Sequence, residues 1–195
     1  NDTAHRYTPA ELVASVAKQP QSFSAGTRWQ YSNTNYVILG MIVERATGRP
    51  LRRVLAERIF RPAGLAHTSF ADGTTMPRGS AHGYLVKGNP VAPTPGGRPF
   101  DATRVNPSYT WAAGAIVSTA GDIDRFLRAL LRGDLLSPSS LGEMRRTRPI
   151  GPRLSYGLGL LRIATPCGPL LGHNGMVFGY SSIAHFGYVL VAIIA

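Results

Sequence analysis

The chain is poor in cysteine, in acidic side chains and in long apolar runs. Cys167 is the single cysteine among 195 residues, so no disulfide can close within the chain and no thiolate cage can hold a metal. It reads either as a small buried apolar residue or as half of a pair whose partner lies elsewhere. The longest mainly apolar stretch, Tyr188 to Ala195, has eight residues. A bilayer-spanning helix needs roughly 20, so no transmembrane segment is expected. Asn1 to Arg6 lack the basic-then-apolar layout of a signal peptide and carry no address, as a mature or truncated chain would also read. With 44% apolar residues, disordered and fibrous classes are excluded, and the length suits one globular domain or a large piece of a bigger one.

The scarcity of acid leaves 21 basic residues against 10 acidic, a formal charge of +11. A nucleic-acid reader would mass its cations in one tract or stripe. Here 19 of the 21 are arginines scattered along the chain, among them Arg28, Arg49, Arg78, Arg98, Arg125 and Arg153. No nucleic-acid partner is expected. The tightest cluster, Arg145-Arg146-Thr147-Arg148, follows a predicted helix and reads as a solvated helix end, where cations suit the terminal dipole.

Local signals predict helices first. Thr8-Pro9-Ala10-Glu11 combines a threonine cap, proline at the first helical position and glutamate three residues after the cap, starting a helix that runs to about Lys18. A second runs from Thr34 to the Gly48 and Pro50 stop, and another carries Leu51, Val54, Leu55 and Ile59 on one face. Between Pro62 and Pro107 glycine and proline punctuate short apolar pieces such as Tyr84-Leu85-Val86, so loops and short strands are expected, with Asn89 to Pro99 a long surface connection or lid. Thr119-Ala120-Gly121-Asp122 matches a capping box ahead of the Ile123, Phe126, Leu127, Leu130, Leu131 repeat, and Ser137-Pro138 opens a short helix through Met144. Tyr156 to Ile163, Leu170 to Gly172, Gly179 to Phe186 and Tyr188 to Ala195 read as strands. The junction Phe186-Gly187 leaves little for a hairpin turn. The order implies an α+β protein, a helical subdomain over about residues 1–150 beside an antiparallel sheet over about 151–195.

Two short motifs carry chemistry. Tyr31-Ser32-Asn33 stands at a loop-to-helix junction, where a phenol and a carboxamide two positions apart can face one cleft. His173-Asn174-Gly175 lies at a predicted strand and is followed by Met176. Around them stand Arg58-Ile59-Phe60-Arg61-Pro62 with Gly64-Leu65 and Thr68-Ser69-Phe70, Ala113-Gly114-Ala115-Ile116-Val117-Ser118-Thr119 with Asp122, Tyr156-Gly157-Leu158-Gly159-Leu160, and Gly179-Tyr180-Ser181-Ser182. In this order the blocks resemble the serine β-lactamase and penicillin-binding superfamily, in the branch of class C β-lactamases, D-alanyl-D-alanine carboxypeptidases and related esterases. The Tyr31 and His173 versions are most similar to the carboxypeptidase side.

The resemblance implies a β-lactamase/transpeptidase-like fold, an antiparallel sheet flanked by helices, incomplete in this chain. It implies acyl transfer to water through an acyl-enzyme on a serine, with no cofactor, at a location outside the cytoplasm. A serine hydroxyl needs an adjacent base to become nucleophilic, and the family places it in an S-x-x-K helix. By resemblance Tyr31 would exchange protons with the serine and the leaving group, its pKa lowered by neighbouring cations. Asn33 would hold the substrate amide and the lysine, and His173 would take the lysine position of the third motif. Gly175 would let the substrate backbone approach, and the Met176 N–H would serve the oxyanion hole. Asn174 departs from the commoner threonine or serine and keeps a hydrogen-bonding role.

Trp111 reads either as a cleft wall, by the same resemblance, or as a core residue; Arg162 reads as a surface residue or a reach toward a substrate carboxylate. His5, His67 and His82 have no metal-like partners at short spacing, so no metal is expected.

One literal S-x-x-K match exists, Ser15-Val16-Ala17-Lys18. It lies only 16 residues before Tyr31, where the family keeps many tens, and is read as a decoy. The nucleophile is then absent from these residues, and the missing family segments lie in untraced sequence or on another chain, which leaves this chain alone inactive. The partner is a small-molecule or peptidoglycan-peptide substrate; β-lactams, D-alanyl peptides, D-amino-acid amides and esters all remain open. A rival reading is a non-catalytic relative that only binds cell-wall ligands or partners. Fluorescent penicillin should label the complete protein at a serine, and labelling should persist in Ser15→Ala; labelling of this chain that vanishes in Ser15→Ala would defeat the decoy reading.

Overall fold

A computed structural model describes residues 5–71, 73–85, 100–173 and 190–191. Helix α1 (Pro9–Ala17) begins on the predicted box: the Glu11 N–H donates to Thr8 Oγ1, and the Thr8 N–H donates to the Glu11 carboxylate at 2.6 Å. Helix α2 (Asn33–Thr47) ends at Gly48 as predicted. Helix α3 (Leu51–Leu55) widens into a π-turn over Ala56–Phe60, where the expected single helix changes its winding. Val37, Leu51, Val54 and Phe60 bury the faces that join these helices.

Among the described residues, short strands β1 (Ser69–Phe70), β2 (Tyr84–Leu85), β3 (Phe100–Asp101) and β4 (Ile116–Val117) pair β1 with β4 and β2 with β3, all antiparallel. The predicted lid over Asn89 to Pro99 falls outside the described residues. Two 3-10 turns, Pro107–Tyr109 and Trp111–Ala113, lead back toward α2.

Helix α2 meets the second of these turns at Gly40. A Cβ there would lie 2.6 Å from Ala112 Cβ and 2.7 Å from the Trp111 ring, a separation that real side chains do not tolerate. Trp111 itself sits at φ +39, in the left-handed region that a bulky residue adopts only under strain. Part of the α2 surface remains open, with Ile38, Leu39 and Ile42 each 40% to 55% exposed.

Helix α4 (Ala120–Arg132) starts where Thr119 accepts the Asp122 N–H. Only this half of the predicted box forms. The Asp122 carboxylate, completely buried, instead accepts from the His67 N–H (2.7 Å), Thr68 Oγ1 (2.7 Å) and Arg125 (2.5 Å). Burial alone would raise its pKa, but those donors together outweigh it and hold the carboxyl below 3.8. Asp122 thereby ties the turn before β1 to the start of α4. Helix α5 (Pro138–Arg145) is capped by Ser137.

The sheet runs β5 (Arg148–Pro149), β6 (Leu154–Tyr156), β7 (Leu161–Thr165), β8 (Gly168–Gly172) and β9 (Leu190–Val191), each antiparallel to the next. One expectation is corrected here and two are narrowed. The strand expected over Tyr156 to Ile163 breaks at Gly157, whose N–H donates to Leu160 O in a tight turn, so the run is a hairpin rather than one strand. The arginine cluster is only partly a solvated helix end: Arg148 enters β5, and Arg145 donates to the Leu131 carbonyl at the end of α4, while exposed Arg146 pairs with Glu143. Cys167 is exposed in the β7–β8 turn, not buried. The strand and turn expected over Gly179 to Gly187 lie outside the described residues.

Two measurements test these contacts. Gly40→Ala should lower stability by about 1–3 kcal/mol, the usual cost of overpacking, read as a lower denaturation midpoint; an unchanged midpoint would contradict the close approach. A carboxyl with a depressed folded pKa stabilises the fold above its unfolded value and loses that effect as pH falls through the folded one. Asp122→Asn should therefore destabilise most above pH 3.8, with the gap to the parent narrowing under acid.

Candidate active site

Tyr31 and His173 come from opposite ends of the chain and face one another. Tyr31 precedes α2, and His173 follows β8, their ring centroids 5.9 Å apart. Sheet register explains the position of the histidine. Tyr156 ends β6 and pairs with Leu161, which pairs in turn with Gly172 at the end of β8. Tyr156 and His173 thus emerge at one end of the sheet.

There the side chains form a continuous chain of hydrogen bonds. The Tyr36 and Tyr156 hydroxyls are hydrogen-bonded, and the Tyr156 hydroxyl bonds His173 Nε2 at 2.8 Å. The rings also meet: Tyr156 stands edge-on to His173 at 5.7 Å, Tyr36 edge-on at 6.5 Å, and Tyr31 lies 5.5 Å from Tyr36. Trp29, 47% exposed, covers Tyr156 at 5.2 Å. Aromatic rings in such tilted and edge-on arrangements attract one another beyond their buried area.

The electrostatics differ from the expectation drawn from the family. Burial pushes the Tyr31 phenol above its ordinary value of 10, and the neighbouring Tyr36 adds to the rise. The expected lowering by cations is not made by the described residues of this chain. Tyr156 is raised further, by burial first and then by its hydrogen bond to Tyr36. Both phenols therefore keep their protons at neutral pH.

Asn33 is exposed at the first position of α2. Ser15 is exposed on α1, its hydroxyl donating to the Leu12 carbonyl at 2.7 Å; Lys18, also exposed, caps that helix. Trp111 is half-buried against Gly40, one helical turn beyond Tyr36, and meets Phe70 edge-on at 6.5 Å. Arg162 lies half-buried on β7. Asn174, Gly175 and Met176 lie outside the described residues. His82 pairs with Asp101 at 3.2 Å on the surface, and among the described residues no group of three or more His, Cys, Asp or Glu is placed to hold a metal ion.

Sequence reasoning assigned no role to Trp29, Tyr36 and Tyr156, although each stands in or beside a motif block. The signal that could have found Tyr156 is its place before a Gly-x-Gly turn, since that turn sets a strand end and hence a side chain at the rim of the sheet.

The β-lactamase family model matches residues 1–192. A D-stereospecific amidohydrolase from Streptomyces sp. is similar at 39% identity and TM-score 0.80, over 89% of this chain and 51% of that one. The D-amino acid amidase of Ochrobactrum anthropi SV3, solved with D-phenylalanine, is similar at 32% identity and TM-score 0.75, again over 89% and 51%. A penicillin-binding protein of Bacillus subtilis is 28% identical over 175 residues, 83% of this chain and 37% of its own length. The chain thus spans about half the length of the solved relatives and less of the third. The blocks quoted from the sequence, the helices beside an antiparallel sheet and the match over nearly the whole chain lead to one assignment: this chain belongs to the β-lactamase family and has the fold of the serine β-lactamases and penicillin-binding proteins.

Proposed function

We propose that the complete protein is a serine hydrolase working through an acyl-enzyme, and that this chain supplies its proton-transfer and substrate-holding side. The observation that carries the reading is the meeting of Tyr31 with His173, 5.9 Å apart although 142 positions separate them. A phenol kept protonated beside an imidazole can deliver a proton to a leaving amine, the step that acyl transfer from an amide requires. In the reverse direction, accepting the serine proton, Tyr31 needs its pKa brought down. An opposite charge nearby lowers a pKa by roughly 1–3 units, and such a cation must come from residues beyond those described, as the lysine of an S-x-x-K segment would. Ser15 does not fit the nucleophile, because its hydroxyl is turned back onto its own helix. Asn33 holds the substrate amide in this reading, with the backbone at Gly175 and Met176 lining the strand side.

For substrate we favour small amides or peptides with a D-configured amino acid, the class named for the two solved relatives. The residues described around Tyr31 and His173 are the aromatic rings of Trp29, Tyr36 and Tyr156, which suits an uncharged amide bond more than a polyanion. A position outside the cytoplasm, where D-alanyl peptides occur, agrees with that choice. No helix among the described residues is long and apolar enough to cross a membrane.

Hydrolysis of D- against L-amino-acid amides by the complete protein checks the proposal. The D-isomer should be preferred, and Tyr31→Phe should lower kcat by about 10²–10⁴, the span for a lost general acid–base group, with a much smaller change in KM. Full turnover in Tyr31→Phe, or no turnover and no acylation of the parent by any of these substrates or by penicillin, would refute it.

A further inference from the structure

We propose that Trp29 is a specificity-determining residue: its indole forms the wall against which the side chain of the D-amino acid lies, and it selects amides with an aromatic side chain over those with a small one. The inference rests on the reading of Tyr31 and His173 as the place of amide cleavage, and it names the acyl part taken there. Trp29 stands two positions before Tyr31, and both rings join one cluster. Tyr31 meets His173 at 5.9 Å, Trp29 meets Tyr156 at 5.2 Å, and Tyr156 meets His173 at 5.7 Å. The ring of Tyr156 therefore links the indole to the imidazole. Tryptophan is highly buried on average, yet Trp29 is 47% exposed and Tyr31 is 41% exposed. Trp111, by contrast, is half-buried against Gly40 and Phe70. Adjoining aromatic surface left open beside convergent polar groups has the character of a ligand site.

The chemistry of the substrate decides which part of it can use that surface. In a simple amino-acid amide the leaving group is ammonia, which has no apolar surface. An apolar contact with the indole can thus come only from the acyl part, whose side chain is attached one carbon away from the scissile carbonyl. An aromatic side chain gains twice there: it leaves water, and it takes up the tilted or edge-on pairing that rings favour. A methyl group gains little of the first and none of the second. The indole is also supported before substrate arrives, since it already rests on Tyr156 at a tilt of 48°. A wall held in place in advance loses less freedom on binding.

Parallel kcat/KM measurements on D-phenylalaninamide and D-alaninamide with the complete protein test this. The parent should favour the aromatic amide. Trp29→Ala should lower the ratio of the two kcat/KM values about tenfold or more, the lower end of what one apolar group contributes to discrimination. Trp29→Phe, which keeps a ring, should retain most of the ratio. Trp29→Leu, nearer to the parent in bulk, serves where Trp29→Ala does not fold, with a smaller fall in the same sense. A merely structural role for Trp29 would lower both values together and leave their ratio unmoved. A parent without preference for the aromatic amide, or an unchanged ratio in an active Trp29→Ala or Trp29→Leu, would overturn the inference while the hydrolase reading stands. Absence of turnover of every amide would remove that reading, and this inference with it.

Discussion

A methyl group at position 40 would stand 2.6 Å from the Ala112 side chain, so the depth at which α2 lies against the rest of the molecule is set by the absence of a side chain there. That helix is central: α1, α3 and the Trp111–Ala113 turn all pack on it. Gly40 and Tyr36 are one turn apart and share a helical face, so the approach at Gly40 also fixes how far the Tyr36 hydroxyl reaches. It reaches Tyr156. A small residue in the interior of one helix thereby brings the helical side and the sheet into register at the candidate site. The strained φ of Trp111 belongs to the same contact, because its ring fills the space that Gly40 leaves.

Among the described residues, the polar part of the site is built from phenols, of which Tyr31 and Tyr156 keep their protons near pH 7, and one imidazole. This is notable in a chain with so many arginines. The arginines described with ion-pair partners, such as Arg125 on Asp122, Arg128 on Asp124 and Arg49 on Glu57, are engaged away from Tyr31 and His173. Phenols that keep their protons avoid the large desolvation cost of a buried charge.

Local chemistry made the helices readable, because a cap is written in a few adjacent residues: Thr8 with Glu11, Thr119 and Ser137 all act where the sequence places them. The motif blocks likewise made the family readable, and they single out Tyr31 and His173, whose rings meet in the fold. What failed depends on distant partners. Asp122 looks like the second half of a capping box, yet its carboxylate is claimed by a backbone N–H and a hydroxyl from more than fifty residues away. In the apolar run from Tyr156 onward only the glycines of Gly157-Leu158-Gly159 mark the break, since the turn itself is made by backbone hydrogen bonding. The contact of Tyr36 with Tyr156 spans 120 residues and has no local signature. Tyr31 was assigned a lowered pKa because the family surrounds that phenol with cations, whereas here the described surroundings are aromatic.

Gly157 is a second place where a missing side chain matters. A Cβ on it would lie 2.6 Å from the Met144 carbonyl oxygen and 3.2 Å from that of Arg146, both at the end of α5. The residue next to it is Tyr156. The backbone carrying the middle member of the hydroxyl chain is therefore gauged from behind by the terminal carbonyls of a helix that adds no side chain to the site. That helix end is itself anchored, since Arg145 bonds the last turn of α4. The α4–α5 pair thus works as a backstop, and a single added methyl at its point of contact would push the tyrosine forward while leaving every site residue chemically unchanged.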